Sequence, residues 1–331
     1  MELVANKVNT KPKRSLFSLP LFKQSLKANF PLWLALTIGS AAIFIIINLV
    51  VGSKKIFTNI DMNVVQNYVQ DENMNWLQIL GLLETMGFSL TRIQTMSQID
   101  INSVMNDLVY KIAGVMLPMV YVMITCNKLL AAQVNDGSMA YILSTPTNRK
   151  KVLFTQYSFV LISLIAMYIV VTLGAFISGT IAYFISSPAN LTFEAYALRT
   201  LLYCFGSFVA IFGLAGICFG ASAFFNKSSY SITIGGGVCI ISFLCCILGL
   251  FGNKVFVSVG VGVEAMRVFD YMTLFSLIDT ESMSNFAKAV NNIPDVEISF
   301  VWIYKLIILL VVGISFTLIG CNKFVKKDLP L

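Results

Sequence analysis

Side chains that carry covalent or metal chemistry are sparse in this chain. It has no histidine, which excludes every His-based triad and most metal centres. Its seven cysteines are Cys126, Cys204, Cys218, Cys239, Cys245, Cys246 and Cys321, and all lie in or at the edge of apolar runs. The vicinal pair Cys245 and Cys246 has redox or metal potential, but no CxxC accompanies it and the setting suits small apolar fillers. The fourteen methionines are scattered and read as packing. No GxxxxGK[ST] phosphate loop occurs: Gly235, Gly236 and Gly237 lack the following lysine, and they suit close helix packing or a local break. Gly213, Gly216 and Gly220 place small residues near one helix face, a packing pattern common in membrane helices.

The most informative polar stretch is Asn127 to Val152, NKLLAAQVNDGSMAYILSTPTNRKKV. Asn135, Asp136 and Gly137 break a first helical piece, and Asp136 or Ser138 is placed to cap a second short helix through Leu143. Thr145 precedes Pro146 and is pushed out of helical geometry. Thr147 or Asn148 is placed to cap a long helix that begins with Arg149, Lys150 and Lys151. The spacing predicts a compact helical elbow. By local physics it is equally a well-made turn or a docking element.

The elements that must position this elbow are membrane spans. Of 331 residues, 57% are hydrophobic and only 12% charged, with a mean hydropathy of +0.81, far from a soluble average of roughly 25% charged. Six runs are long enough to cross a hydrocarbon core of roughly 30 Å: 32–51, 109–127, 153–185, 200–225, 230–251 and 303–321. The third is long for one crossing, so its helix is expected to start in the cytosol or continue beyond the outer surface. The chain reads as one all-α integral membrane domain, 1–331, with 127–152 as a cytoplasmic loop and 52–108 and 252–302 as outer segments.

Charge orients the spans, because basic residues in short loops favour the cytoplasm. With both termini inside, the cytoplasmic side holds 14 Lys and Arg against 3 acids, and the other side 9 against 13. The net charge of +7 therefore reflects membrane orientation, and no nucleic-acid stripe is present. The basic N-terminal segment, 1–31, has no small-residue cleavage site after the first apolar run, so that run is expected to stay as an anchor. Within it, Leu19, Phe22, Leu26 and Phe30 recur at helical spacing while Lys23 and Lys27 fall on another face, which predicts a short amphipathic helix on the inner membrane surface. Trp33, Trp302 and Tyr304 fall at span boundaries, as interfacial anchors or packing groups. In the first outer segment Trp76, Leu77, Leu80, Leu83 and Met86 suggest a surface helix. In the second, Glu264, Arg267 and Asp270 interrupt an apolar stretch, which predicts a pair of partly inserted or outer helices buried against protein.

No ionisable side chain falls in the apolar centre of any span. Proton-coupled pumps place carboxylates or histidines on the ion path, so energy is expected to come from outside this chain. The run D-G-S-M-A-Y-I-L-S-T-P-T-N-R resembles the loop between the second and third spans in the type 2 family of ATP-binding-cassette exporter permeases. There an acidic residue, Gly, Ser or Thr, an apolar helix, a small residue, Pro and Arg follow one another. The matching positions are Asp136, Gly137, Ser138, Leu143, Ser144, Pro146 and Arg149. The stretch TLFSLI, Thr273 to Ile278, is similar to an outer segment of such permeases.

The resemblance implies that Asp136 to Tyr141, with Met139 between them, form a coupling helix meeting a cytosolic ATPase, while Pro146 and Arg149 fix the exit into the third span. It also implies a second copy of this chain or a similar permease, and ATP and Mg held by the partner ATPase with no cofactor here. The lipid bilayer is the remaining partner, at a plasma membrane that composition suggests is bacterial. Mostly apolar spans suit a hydrophobic or amphipathic cargo such as a peptide, lipid-like molecule or drug. Two other classes stay open: an ion-coupled secondary transporter using carbonyls and hydroxyls, and a non-transporting membrane protein conferring immunity to a peptide toxin. A membrane enzyme is disfavoured, since no paired acid and nucleophile occurs at membrane depth.

Overall fold

The computed structural model describes residues 16–52, 108–145, 147–186, 192–252, 257, 263–291 and 298–327. The proposed surface helix around Trp76 to Met86 lies outside them. Among the described residues every regular element is helical. In chain order these are α1 (Leu19–Gly52), a π-helical turn (Leu108–Ala113) leading into α2 (Gly114–Leu129), α3 (Ala131–Asn135), α4 (Ser138–Ser144), α5 (Arg149–Ser186) and α6 (Phe193–Phe224). Then follow α7 (Ser228–Ser231), a second π-helical turn (Ile232–Gly236), α8 (Gly237–Leu250), a 3-10 turn (Glu264–Arg267), α9 (Val268–Met272), a second 3-10 turn (Leu274–Leu277), α10 (Thr280–Val290) and α11 (Val301–Lys326).

Among the described residues six stretches are long and apolar enough to cross a membrane: Leu19–Leu49, Val109–Asn135, Arg149–Ile185, Phe193–Phe224, Ser228–Leu250 and Val301–Lys326. All six expected spans are present, most with longer ends. The 38 residues of α5 reach about 57 Å at 1.5 Å per residue, well beyond one hydrocarbon core, as its apolar length predicts.

The most enclosed span is α6, which packs on α11, α2, α5 and α10. Its N-terminus is capped by Thr192, whose hydroxyl accepts from the Ala195 amide at 3.3 Å, and Glu194 sits in its first turn, where a negative charge suits the helix dipole. Proline inside a span leaves one carbonyl without its helical donor. For Pro118 in α2 that carbonyl belongs to Gly114, and it accepts from the Tyr168 hydroxyl of α5 at 3.2 Å. Tyr168 also donates to the Ser207 carbonyl at 3.2 Å, and Ser207 Oγ to the Tyr110 carbonyl at 2.8 Å, so one buried polar node fastens α2, α5 and α6.

Two expectations change. The amphipathic segment and the first span form one helix, α1, that runs through Pro31. Its buried face at the N-terminal end is Leu21, Ser25 and Asn29, while Leu19, Leu26 and Phe30 are exposed. Polar partners on α5 decide this: Ser18 N donates to Thr155 Oγ1 at 3.0 Å, and Ser25 Oγ to Gln156 Oε1 at 2.8 Å. Beyond α8, the segment Glu264 to Met272 has no buried side chain, although its backbone approaches Gly249 and Gly252 closely. Burial against protein belongs instead to Phe275, Ile278, Met283 and Ala287 in the following turn and α10. Trp302 packs edge-on against Phe286 with centroids 5.5 Å apart, and Trp33 Nε1 donates to the Ser163 carbonyl at 2.9 Å. Both tryptophans therefore act as packing groups.

Candidate functional site

The elbow lies at the end of the bundle where α5 begins and α6 and α11 end. The chain turns at Leu130 and forms α3, which buries Ala131 and Val134. Asp136 closes α3 through its backbone, donating to the Ala132 carbonyl at 2.9 Å. Gly137 then takes φ +72°, a left-handed conformation that costs other residues roughly 1–2 kcal/mol. An added Cβ there would meet nothing within 4 Å, so glycine is required by backbone geometry and not by space. Gly137 itself holds the N-cap position of α4, and no side chain caps it. This corrects the expected roles of Asp136 and Ser138: Ser138 Oγ reaches back to the Gln133 carbonyl at 3.2 Å, and Asp136 Oδ1 accepts from Asn135 Nδ2 at 3.2 Å. The left-handed turn reverses the chain so tightly that Ser138 is already inside the helix.

Met139 and Tyr141 are two residues apart and so point to nearly opposite sides of α4. Met139 is 2% exposed and anchors the elbow in the core, while Tyr141 is 81% exposed. Asp136, Ser144 and Thr145 are exposed as well. The C-terminus of α4 is closed by hydroxyls: Ser144 Oγ donates to the Tyr141 carbonyl at 2.8 Å, and Thr145 Oγ1 and Thr147 Oγ1 both donate to the Ile142 carbonyl, at 2.6 and 2.8 Å. Thr145 is extended (φ −79°, ψ 160°), as a residue before proline should be. Thr147 thus serves α4 and not α5. Asn148 precedes α5, and its carbonyl accepts from the Lys151 and Val152 amides at 2.8 and 3.1 Å. Pro146 lies outside the described residues.

Arg149 turns away from the elbow. Its Nη1 donates to the Lys327 carbonyl at 2.6 Å and the Val325 carbonyl at 3.4 Å, capping the C-terminus of α11. Lys327 in turn donates to the carbonyls of Ala223, Phe225 and Phe224 at 2.9, 3.2 and 3.5 Å, capping α6. Burial first, then the charges of Arg149 and Lys323, push the Lys327 ammonium down to about 8. Asp136 to Tyr141 are therefore brought together, and Arg149 joins them only through the base of the elbow. Lys327 was not singled out by sequence, because no pattern links it to a residue 178 positions away.

Beneath the elbow, Asn127 Nδ2 donates to Ser228 Oγ at 2.8 Å and Lys128 Nζ to the Ala28 carbonyl at 3.0 Å, tying α2 to α7 and α1. At the opposite end Asp279 caps α10 through the Ser282 amide at 3.0 Å and pairs with Lys305 at 2.6 Å. Burial alone would raise the Asp279 carboxyl, but Lys305 and the Ser282 amide outweigh it and hold it below the ordinary range. Cys218 and Cys239 form a close pair, their sulfurs 3.4 Å apart and buried between α6 and α8.

Compared with known proteins, the chain matches no family model, no curated protein and no solved structure. Fold and hydropathy define a multi-span helical membrane protein. Its most specific local feature is a helical elbow anchored by Met139 and presenting Tyr141.

Proposed function

We propose that this chain is the permease subunit of an ATP-binding-cassette exporter of the type 2 family, driven by separate cytosolic ATPase subunits that hold ATP and Mg. The observation that supports this reading is the elbow: a left-handed turn at Gly137, an anchor at Met139 and an exposed tyrosine on α4. A docking helix that transmits force needs a fixed base and a free face, and α4 has both. The basic residues around it orient that end toward the cytoplasm, where an ATPase would be met.

In this reading two permeases pair, as copies of this chain or with a similar subunit. Closure of the ATPases on ATP draws the two elbows together, and the spans convert that motion into outward release of a hydrophobic or amphipathic cargo. The charge-free span centres fit a protein that does not power itself. Purification of the tagged full chain in mild detergent tests the proposal. Recovery of a protein carrying GxxxxGK[ST], lost when Tyr141→Ala and Asp136→Ala are combined, is the expected result. Transport that persists with no such partner would overturn it.

A further inference from the structure

Cations gather where α6 and α11 end and α5 begins. Arg149 and Lys327 hold the α11 and α6 carbonyls, Lys323 lies 5.7 Å over the Phe224 ring, and Lys326 shares the last turn of α11. Among the described residues no ion pair joins any of the four to a carboxylate, and α5 has no acid in its first turn. Each helix C-terminus contributes roughly −0.5 charge and the α5 N-terminus roughly +0.5, so these described groups sum to a net charge of roughly +3.5. Burial first, and then the charges of Arg149 and Lys323, depress Lys327.

We propose that this cluster binds the phosphate of an anionic phospholipid in the leaflet facing the elbow. Phosphate supplies the missing negative charge and accepts from several donors at once. Placement favours the lipid as its source. The cations sit where three spans end; exposed Phe224 lies under Lys323, and exposed Tyr230 packs on Phe225, whose carbonyl accepts from Lys327. Lys227 lies 5.7 Å over the Tyr230 ring, and about one turn up α11 Leu318 and Ile319 are exposed. Aromatic rings and lysines at a span boundary with apolar side chains behind them match a headgroup and its chains. A free phosphate would gain nothing from that apolar apron.

The full chain in mild detergent, titrated with phosphatidylglycerol, with phosphatidylcholine of the same chains, and with inorganic phosphate, tests this through the thermal unfolding midpoint. Phosphatidylglycerol should raise the midpoint where the other two do not. Lys323 and Lys326 are exposed and cap no helix, so Lys323→Gln/Lys326→Gln gives up only the exposed contact over Phe224 and should leave a folded protein with a lipid-free midpoint close to that of the parent. The double variant should weaken phosphatidylglycerol about 25-fold, at about five-fold per lysine. Equal responses to the two lipids, or an unchanged affinity in the double variant, would overturn the proposal. A midpoint rise with inorganic phosphate equal to that with phosphatidylglycerol would overturn the lipid assignment in favour of a soluble anion.

Discussion

The two most extensive helix seams among the described residues, α6 against α11 and α1 against α5, are built on opposite principles. Between α6 and α11 the backbones themselves touch. A Cβ added to Gly216 would meet the Gly313 Cα at 2.6 Å, one on Gly320 the Gly220 Cα at 2.6 Å, and one on Gly213 the Leu309 carbonyl at 3.1 Å. Thr317 Oγ1 bridges the helices, 2.9 Å from the Gly313 carbonyl and 3.4 Å from that of Gly216. Between α1 and α5 side chains mediate the contact. Ser25 meets Gln156, Trp33 meets Ser163 and Asn48 meets Ser178, while Asn29 Oδ1 and Gln156 Nε2 are buried with no partner among the described residues. A groove of about 170 Å³ remains at the surface, lined in part by Phe22, Leu26, Phe30, Phe159 and Ile162. Lipid provides no hydrophobic drive between helices, so van der Waals fit and hydrogen bonds must hold them. The glycine seam maximises fit and tolerates no change; the polar seam is under-satisfied and can adjust.

That contrast is broken or sharpened most directly at Gly216. Gly216→Leu would force the two backbones apart and is expected to cost about 3 kcal/mol or more, seen as loss of monodisperse folded protein on size exclusion. In the other seam, Gln156→Leu removes an acceptor from Ser25 but also a buried unpaired donor, and is expected to cost about 1 kcal/mol. Thermal unfolding of the two variants in the same detergent compares them. Equal losses would mean that the seams do not differ in kind.

Smaller still is a pH effect at the end of the glycine seam. Lys327 is depressed from 10.5 to about 8, so above pH 8 the unfolded chain binds more protons there than the folded one. Its contribution to stability should rise with pH between about 8 and 10.5. Lys327→Met should remove that rise, which a comparison of unfolding midpoints across this window would measure. Least of all should Tyr141→Ala matter for stability, by no more than about 0.5 kcal/mol, since the side chain is 81% exposed. Its expected effect is on copurification of the proposed ATPase. A large loss of stability instead would make the elbow part of the core.

Much of the fold was legible because hydropathy is a local property. Six spans, the overlong α5 and the break at Asn135 to Gly137 follow from residues within one segment. The elbow was legible in part: Thr145 is extended before Pro146, but the side-chain caps assigned to Asp136, Ser138 and Thr147 were displaced by a glycine turn and by hydroxyls closing the preceding helix. Half of the glycine seam was also visible, in Gly213, Gly216 and Gly220. Its other half, Gly313, Thr317 and Gly320, carries a matching small-residue spacing on the last span that gains meaning only once the two helices are paired.

Sequence by itself determined that this is a membrane protein of six apolar helices with a helical elbow broken at Asn135 to Gly137 and followed by basic residues, because span length, charge and turn chemistry act over a few residues. Tertiary structure alone decided which faces are buried. The amphipathic pattern sets Leu19, Leu26 and Phe30 on one apolar face for the membrane surface, and these side chains are exposed; that the buried face carries Ser25 and Asn29 was decided by α5, whose Thr155 and Gln156 pair with Ser18 and Ser25 more than 100 positions away. The same holds for Arg149, whose carbonyl partners on α11 lie 176 and 178 residues further along the chain. Hydrogen bonds between distant helices are set by packing, and packing has no signature in a single segment.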